Sequence, residues 1–185
     1  MKKGKLFVIS GPSGVGKDTI INEYLKNNEG MLSISATTRK PRKGEVDKKD
    51  YYFLTKKKFE KWIKKDNFLE YATYNDNYYG TPKSKIFENL DKGIDVFLII
   101  DVQGALQIKE KINESVLIFI MPPSLEELEK RLKNRNTDDE NMIKNRLKIA
   151  ITEISMSDMY NYIITNNKIE TSVDKLKMII ENEKN

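Results

Sequence analysis

Apolar residues along this chain recur at two alternating spacings. Leu6 to Ser10 is a short apolar run ending at a glycine-rich turn. Ile20, Ile21, Tyr24 and Leu25 then recur at three- and four-residue steps, which predicts a helix over about 17–26. Leu32 to Ser35 reads as a second strand, and a polar, lysine-rich loop continues to about Lys49. Tyr51 to Leu54 is strand-like, Phe59, Trp62 and Ile63 mark a short helix, and Phe68 to Tyr74 a further strand. Asn75-Asp76-Asn77 has turn composition, and a helix follows near Lys83 to Leu90. Ile94 to Asp101 is then a strand, Ala105 to Ile112 a helix, and Val116 to Met121 a buried strand. Ser124-Leu125-Glu126-Glu127 is a capping box, with Leu125, Leu128 and Leu132 on one face of the helix it opens. Thr137 to Glu140 repeats that signal ahead of a longer helix carrying Ile143, Leu147, Ala150 and Ile154. Tyr160 to Thr165 is a last strand and Thr171 to about Ile180 a last helix.

Strands alternating with helices predict an α/β fold, a mostly parallel sheet covered on both faces. Residues 36–92 break the rhythm, as an inserted small subdomain would. The expected division is a core of 4–35, 93–124 and 156–183, the insertion, and a helical segment 125–155.

Composition narrows the chemistry. At 185 residues the chain suits one domain, and its seven Phe, nine Tyr and one Trp argue against disorder. No apolar run approaches membrane-spanning length, and no signal-peptide core fits between Lys5 and Gly11, so a cytoplasmic protein is expected. The absence of Cys removes disulfides, thiol nucleophiles and thiolate metal sites; the absence of His removes the commonest general base. The net charge of +5 permits nucleic-acid binding, but no basic stripe with stacking aromatics supports it, so no nucleic-acid or membrane partner is expected. Monomer and homo-oligomer both fit the sequence. Only five of the 33 basic residues are Arg, clustered as Arg39 and Arg42 and as Arg131, Arg135 and Arg146. Where lysine supplies most of the charge, grouped arginines point to the planar fork that grips phosphate.

The strongest local signal is Gly11-Pro12-Ser13-Gly14-Val15-Gly16-Lys17-Asp18-Thr19, lying between a predicted strand and a predicted helix. Its glycines let successive N–H groups turn inward around an anion, the helix start adds more donors, and Lys17 reaches the β- and γ-phosphates. This is a nucleotide-binding loop of P-loop NTPase type. The usual Ser or Thr after the lysine is Asp18 here, and the hydroxyl moves to Thr19. Asp18 either contacts Mg²⁺ or its water shell, or points to solvent beside Thr19.

The whole chain from Gly4 to about Ile180 resembles guanylate kinase, the nucleoside monophosphate kinase that uses ATP to phosphorylate GMP. The resemblance rests on that loop and on Ser33-Ile34-Ser35-Ala36-Thr37-Thr38-Arg39-Lys40-Pro41-Arg42. Gly44-Glu45-Val46-Asp47, Asp50-Tyr51-Tyr52-Phe53, Phe68-Leu69-Glu70-Tyr71 and Asn77-Tyr78-Tyr79-Gly80-Thr81-Pro82 extend it. Asp101-Val102-Gln103-Gly104-Ala105 and Pro122-Pro123-Ser124-Leu125-Glu126-Glu127-Leu128 complete it.

Residue chemistry in the insertion suits a purine monophosphate. Arg39 and Arg42, three apart, can converge on one dianion, and Tyr51 and Tyr79 offer hydroxyl donors. Glu70 is a carboxylate in an apolar strand, and one carboxylate can accept from both the N1–H and the amine of guanine. The resemblance implies Ser35, Glu70, Thr81 and Asp101 around the base, and Arg39, Arg42, Tyr51 and Tyr79 around the phosphate. It makes 36–92 a GMP-binding subdomain and 125–155 a lid. ATP is expected on residues 11–19 with Arg131 and Arg135, and Arg135 and Arg146 bridge the two nucleotides. The expected catalytic set is Lys17, Arg39, Arg135 and Arg146, with Mg²⁺ as cofactor near Asp18 and Thr19. Where the family commonly has a second acidic residue, this chain has Ile99, and Asp18 is one candidate to replace its charge. Two alternatives are a kinase acting on ribose 1,5-bisphosphate and a non-catalytic guanylate-kinase-like binding module. The first would not need Glu70, and the second typically has a degraded phosphate loop.

Overall fold

Five consecutive buried residues, Leu6–Ser10, form β1, and Val116–Met121 form β8 with only Met121 partly exposed. Such runs are buried on both faces, which is the signature of a parallel sheet covered by helices. The computed structural model describes residues 2–42, 44–74, 76–134 and 139–184. Its strands form two sheets, one of five strands in the order β2-β7-β1-β8-β9 and one of four in the order β4-β3-β6-β5. In the first, β2 (Met31–Leu32) pairs with β7 (Val96–Ile99), β1 with β8, and β8 with β9 (Tyr162–Thr165), all in parallel. The helices outside residues 36–92 are α1 (Lys17–Leu25), α4 (Val102–Lys111), α5 (Leu125–Lys133), α6 (Glu140–Ser155) and α7 (Ile169–Lys184).

The chain divides into two compact units. One comprises Met1–Leu6, Gly30–Leu98 and Gln103–Ser115; the other comprises Phe7–Glu29, Ile99–Val102 and Val116–Asn185. The first unit holds the second sheet: β3 (Ala36–Thr37), β4 (Tyr52–Phe53), β5 (Phe68–Tyr74) and β6 (Asn77–Pro82). It also holds α2 (Lys56–Lys64) and α3 (Ser84–Asp91). A small core of Ala36, Phe59 and Phe68, flanked by Tyr52, Leu54, Trp62, Ile63 and Tyr78, joins α2 to one face of that sheet. Phe59 stacks on Phe68 at 4.3 Å and on Tyr78 at 5.2 Å between ring centroids. In the second unit Phe7, Ile9, Leu117, Ile118 and Phe119 are fully buried, and Phe119 meets Tyr160 edge-on at 5.0 Å.

Several elements differ from the sequence pattern. The strand expected at Leu32 to Ser35 is two strands in different sheets: Ser33 N–H still bonds Phe97 O, and from Ala36 the chain pairs with β4 and β6. The strand expected at Ile94 to Asp101 is shorter, so Asp101 lies beyond its end. β6 was hidden by its composition, because Tyr78-Tyr79-Gly80-Thr81 lacks alternation of apolar and polar positions. The Ser124 cap forms as expected, accepting from Glu127 N–H at 3.1 Å. At α6 the cap is Asp139, which accepts from Met142 N–H at 2.8 Å; the expected Thr137 lies outside the described residues.

Candidate active site

The nucleotide loop of the second unit starts where β1 ends. Gly11 has φ +137°, and a Cβ there would come within 2.3 Å of Ile120 O, so only glycine fits the turn. Gly16 precedes α1 at φ +101° and gives that helix no side-chain cap, an arrangement suited to an anion at the helix start. Lys17 Nζ donates to Gly11 O at 2.5 Å and Pro12 O at 3.1 Å, folding the ammonium over its own loop. Asp18 and Thr19 sit exposed in the first turn of α1.

The loop is braced from behind. Asn166, 2% exposed at the end of β9, donates Nδ2 to Val15 O at 2.8 Å and accepts from the buried Ser172 hydroxyl at 2.9 Å. Arg131 donates to Glu127, Val15 O and Asn166 O, so the expected ATP contact spends three hydrogen bonds inside the protein. Arg146, from α6, reaches Ser13 Oγ at 3.3 Å and so meets the glycine-rich loop. Arg135 lies outside the described residues. Two further residues were not expected here. Burial pushes Glu153 of α6 up to about 7; Lys17 opposes the shift and Asp101 adds to it. Burial also raises the Tyr160 phenol, against the effect of Ser10 and with that of Glu153 and Asp101. Glu153 therefore shares its electrostatic surroundings with Lys17 and Asp101. Its only sequence signal was a carboxylate interrupting an apolar helix face.

In the first unit, strand register arranges the residues. Thr81 pairs with Glu70 across β5 and β6, and Ala36 pairs with Gly80 across β3 and β6. One further step along that register brings Ser35 to the level of Thr81, so Ser35, Thr81 and Glu70 form a row on one face. Tyr79, two residues before Thr81, shares that face. Glu70 is 4% exposed, and the fully buried Thr81 hydroxyl donates to its Oε1 at 2.5 Å. The opposite face carries Ala36, Tyr78 and Phe68 against α2.

Arg39 follows β3 and is held on several sides. Its two terminal nitrogens pair with the Glu45 carboxylate at 2.9 and 2.8 Å, and its guanidinium lies 5.5 Å from the Tyr51 ring and 5.8 Å from Phe53. The Tyr51 and Tyr79 rings meet edge-on at 6.4 Å. Glu45 Oε2 also accepts from the Arg42 backbone N–H at 2.6 Å, so one carboxylate holds the Arg39 side chain and the main chain at Arg42. The Arg39 guanidinium in turn holds the Glu45 carboxyl below its ordinary value. Thr37 Oγ1 accepts from Arg39 N–H and donates to Tyr78 O, tying this turn to β6. Glu45, Thr37 and Thr38 stood within the motifs, but no role was read for them; Glu45, three residues after Arg42 in a polar loop, was the available clue.

A family model for guanylate kinase matches residues 3–183. The chain belongs to the guanylate kinase family. A guanylate kinase of Clostridium tetani is 53% identical over 184 residues, covering 100% of this chain and 88% of that protein. One from Clostridioides difficile is 54% identical over 186 residues, covering 100% and 91%. The crystal structure of guanylate kinase from Anaplasma phagocytophilum superposes with a TM-score of 0.83 at 37% identity, over 98% of this chain and 87% of that one. A shikimate kinase from Bacteroides thetaiotaomicron, 14% identical with a TM-score of 0.51, covers 96% and 98% and shares the fold alone. Among the described residues no helix is long and apolar enough to cross a membrane, and no cluster of three acidic side chains could by itself hold a metal.

Proposed function

We infer that this member of the guanylate kinase family transfers the γ-phosphoryl group of ATP to GMP, and to dGMP, giving ADP and GDP or dGDP. The observation that carries this reading is Glu70, a buried carboxylate fixed by Thr81 on a sheet face that also presents Tyr79. A carboxylate with this placement accepts from the N1–H and amine of guanine, and adenine offers no such pair of donors. Ser35 and Asp101 complete the base contacts, while Arg39, Arg42, Tyr51 and Tyr79 take the acceptor phosphate. ATP is assigned to residues 11–19, with Arg131 and Arg135.

The acceptor is already a phosphate anion near neutral pH, so no general base is needed and a chain without His or Cys suffices. Catalysis is placement of two anions and neutralisation of the moving group. Lys17 exchanges its contacts with Gly11 O and Pro12 O for phosphate oxygens, and Arg39, Arg135 and Arg146 supply further positive charge. Segment 125–155 acts as a lid over ATP, and 36–92 as the GMP-binding subdomain. Magnesium accepts hard oxygen donors and keeps most of its ligands as water and substrate phosphate. The exposed Asp18 and Thr19 suit that need, and would hold Mg²⁺ that lowers the charge on the transferred group. The cytoplasm, which supplies both nucleotides, is the proposed location.

A coupled ADP-release assay with GMP, dGMP, AMP, UMP and ribose 1,5-bisphosphate tests this reading. Turnover is expected with GMP and more weakly with dGMP. Preference for AMP or the ribose bisphosphate would overturn the acceptor, and nucleotide binding without turnover on any acceptor would indicate a binding module.

A further inference from the structure

Glu70 reaches the binding face only because β5 is irregular. Phe68 pairs with Pro82, but Glu70 pairs with Thr81, so two steps along β5 match one along β6 and Leu69 is the extra residue of a bulge. Without the bulge, Phe68 and Glu70 would point the same way. With it, Phe68 packs on Phe59 and Trp62 while Glu70 meets Thr81 on the other face. β5 is also an edge strand, so its outward carbonyls lack a strand partner.

Two side chains of α4 take up those carbonyls. Lys111 Nζ donates to Leu69 O at 2.7 Å, and Gln107 Nε2 donates to Tyr71 O at 3.1 Å. Four residues of helix advance about 6 Å and two residues of strand about 6.7 Å, so donors four apart on α4 match carbonyls two apart on β5. The two bonds flank Glu70, and the one from Lys111 falls on the bulged residue itself.

We propose that Lys111, assisted by Gln107, is a positioning residue for guanine recognition: it locks the β5 bulge and thereby aims the Glu70 carboxylate at the base edge. This rests on the assignment of Glu70 to the N1–H and amine of guanine. A carboxylate tilted by a relaxed bulge keeps one of those contacts more easily than both, so selectivity for the amine is the property that Lys111 controls.

Inosine monophosphate isolates that property, since it keeps the N1–H and lacks the amine. The experiment compares kcat and KM for GMP and IMP in the wild type, Lys111→Met and Lys111→Arg, with thermal melting of each. In Lys111→Met the GMP-to-IMP ratio of kcat/KM should fall about fivefold, as expected when a site reads one substrate group less well. The fall should come through KM for GMP, with kcat nearly unchanged, and Lys111→Arg, which retains a donor, should restore the ratio. A folded Lys111→Met enzyme with an unchanged ratio, or with equal losses on both substrates, would overturn the proposal. If Lys111→Met does not fold, Gln107→Leu is read on the same ratio: a smaller fall supports the proposal and no fall overturns it. A wild type inactive on both substrates would overturn the assigned reaction and this inference with it. That result is distinct from an active enzyme whose ratio ignores residue 111.

Discussion

The glycine-rich loop and the second sheet, in the roles proposed above, prepare their sites by opposite means. In the loop, the main chain itself makes the site: Gly11 and Gly16 adopt left-handed backbone, and side chains such as Asn166 and Arg131 stand behind as braces. In the sheet, side chains make the site, and the main chain only sets the register that brings Ser35, Thr81 and Glu70 into one row. A site made of backbone tolerates no added Cβ but is indifferent to much of its surface chemistry. A site made of side chains depends on the identity of each atom it presents.

Substitutions of each kind should break the contrast in different ways, and the largest effect is expected at Glu70. Glu70→Gln should lower kcat/KM for GMP about 30- to 1000-fold, the loss of a charged buried hydrogen bond worth about 2–4 kcal/mol. Steady-state kinetics would show this with ATP affinity intact; a fall under threefold would remove Glu70 from the base site. Gly11→Ala should instead cost stability, about 3 kcal/mol, because the added Cβ meets Ile120 O in a backbone region strained for alanine. Urea unfolding measures this, and a loss below about 1 kcal/mol would mean the loop can shift to admit the methyl group.

Glu153 sharpens the comparison through pH. Its folded value, about 7, lies above the ordinary 4.5, so the folded state binds a proton more tightly than the unfolded one. The resulting stabilisation is present below about pH 4.5 and is lost as pH rises through 7. Glu153→Gln should therefore gain on the wild type over that window, by up to about 3 kcal/mol. Denaturation at pH 5 and pH 8 measures the gap, and a constant difference would place Glu153 in a solvated setting. The smallest effect is expected at Glu45. Glu45→Gln frees Arg39 from a largely buried pair and should raise KM for GMP about fivefold, from roughly 1 kcal/mol of lost orientation. A KM within twofold of wild type would show that Tyr51, Phe53 and Thr37 suffice to place Arg39.

The same contrast governs what the sequence revealed. The loop was legible because its physics is local: glycine spacing, a lysine and a following helix all lie within nine residues. β1, β5 and β8 were legible with their boundaries because buried or aromatic runs mark them directly. The bulge at Leu69, the strand β6 and the split of β2 from β3 were not legible, since each depends on pairing between distant segments. Arg39, Arg42 and Glu70 could be named from their chemistry, but the Glu45 contacts to the Arg39 side chain and the Arg42 main chain needed the folded turn. Asn166 was missed for a related reason, because its partner Val15 is 151 positions away.

That separation has a consequence for biosynthesis. The loop at residues 11–16 is synthesised well before its braces Asn166 and Ser172, with 151 positions between Val15 and Asn166. A growing chain therefore displays a glycine-rich segment without the contacts that hold its shape, and contacts this distant in sequence form late and slowly. Translation that stops before residue 166 yields a polypeptide that carries the whole glycine-rich motif and Arg131 but lacks the Asn166 bond to Val15 O. The bracing of the loop is thus finished only once synthesis has passed Asn166 and Ser172.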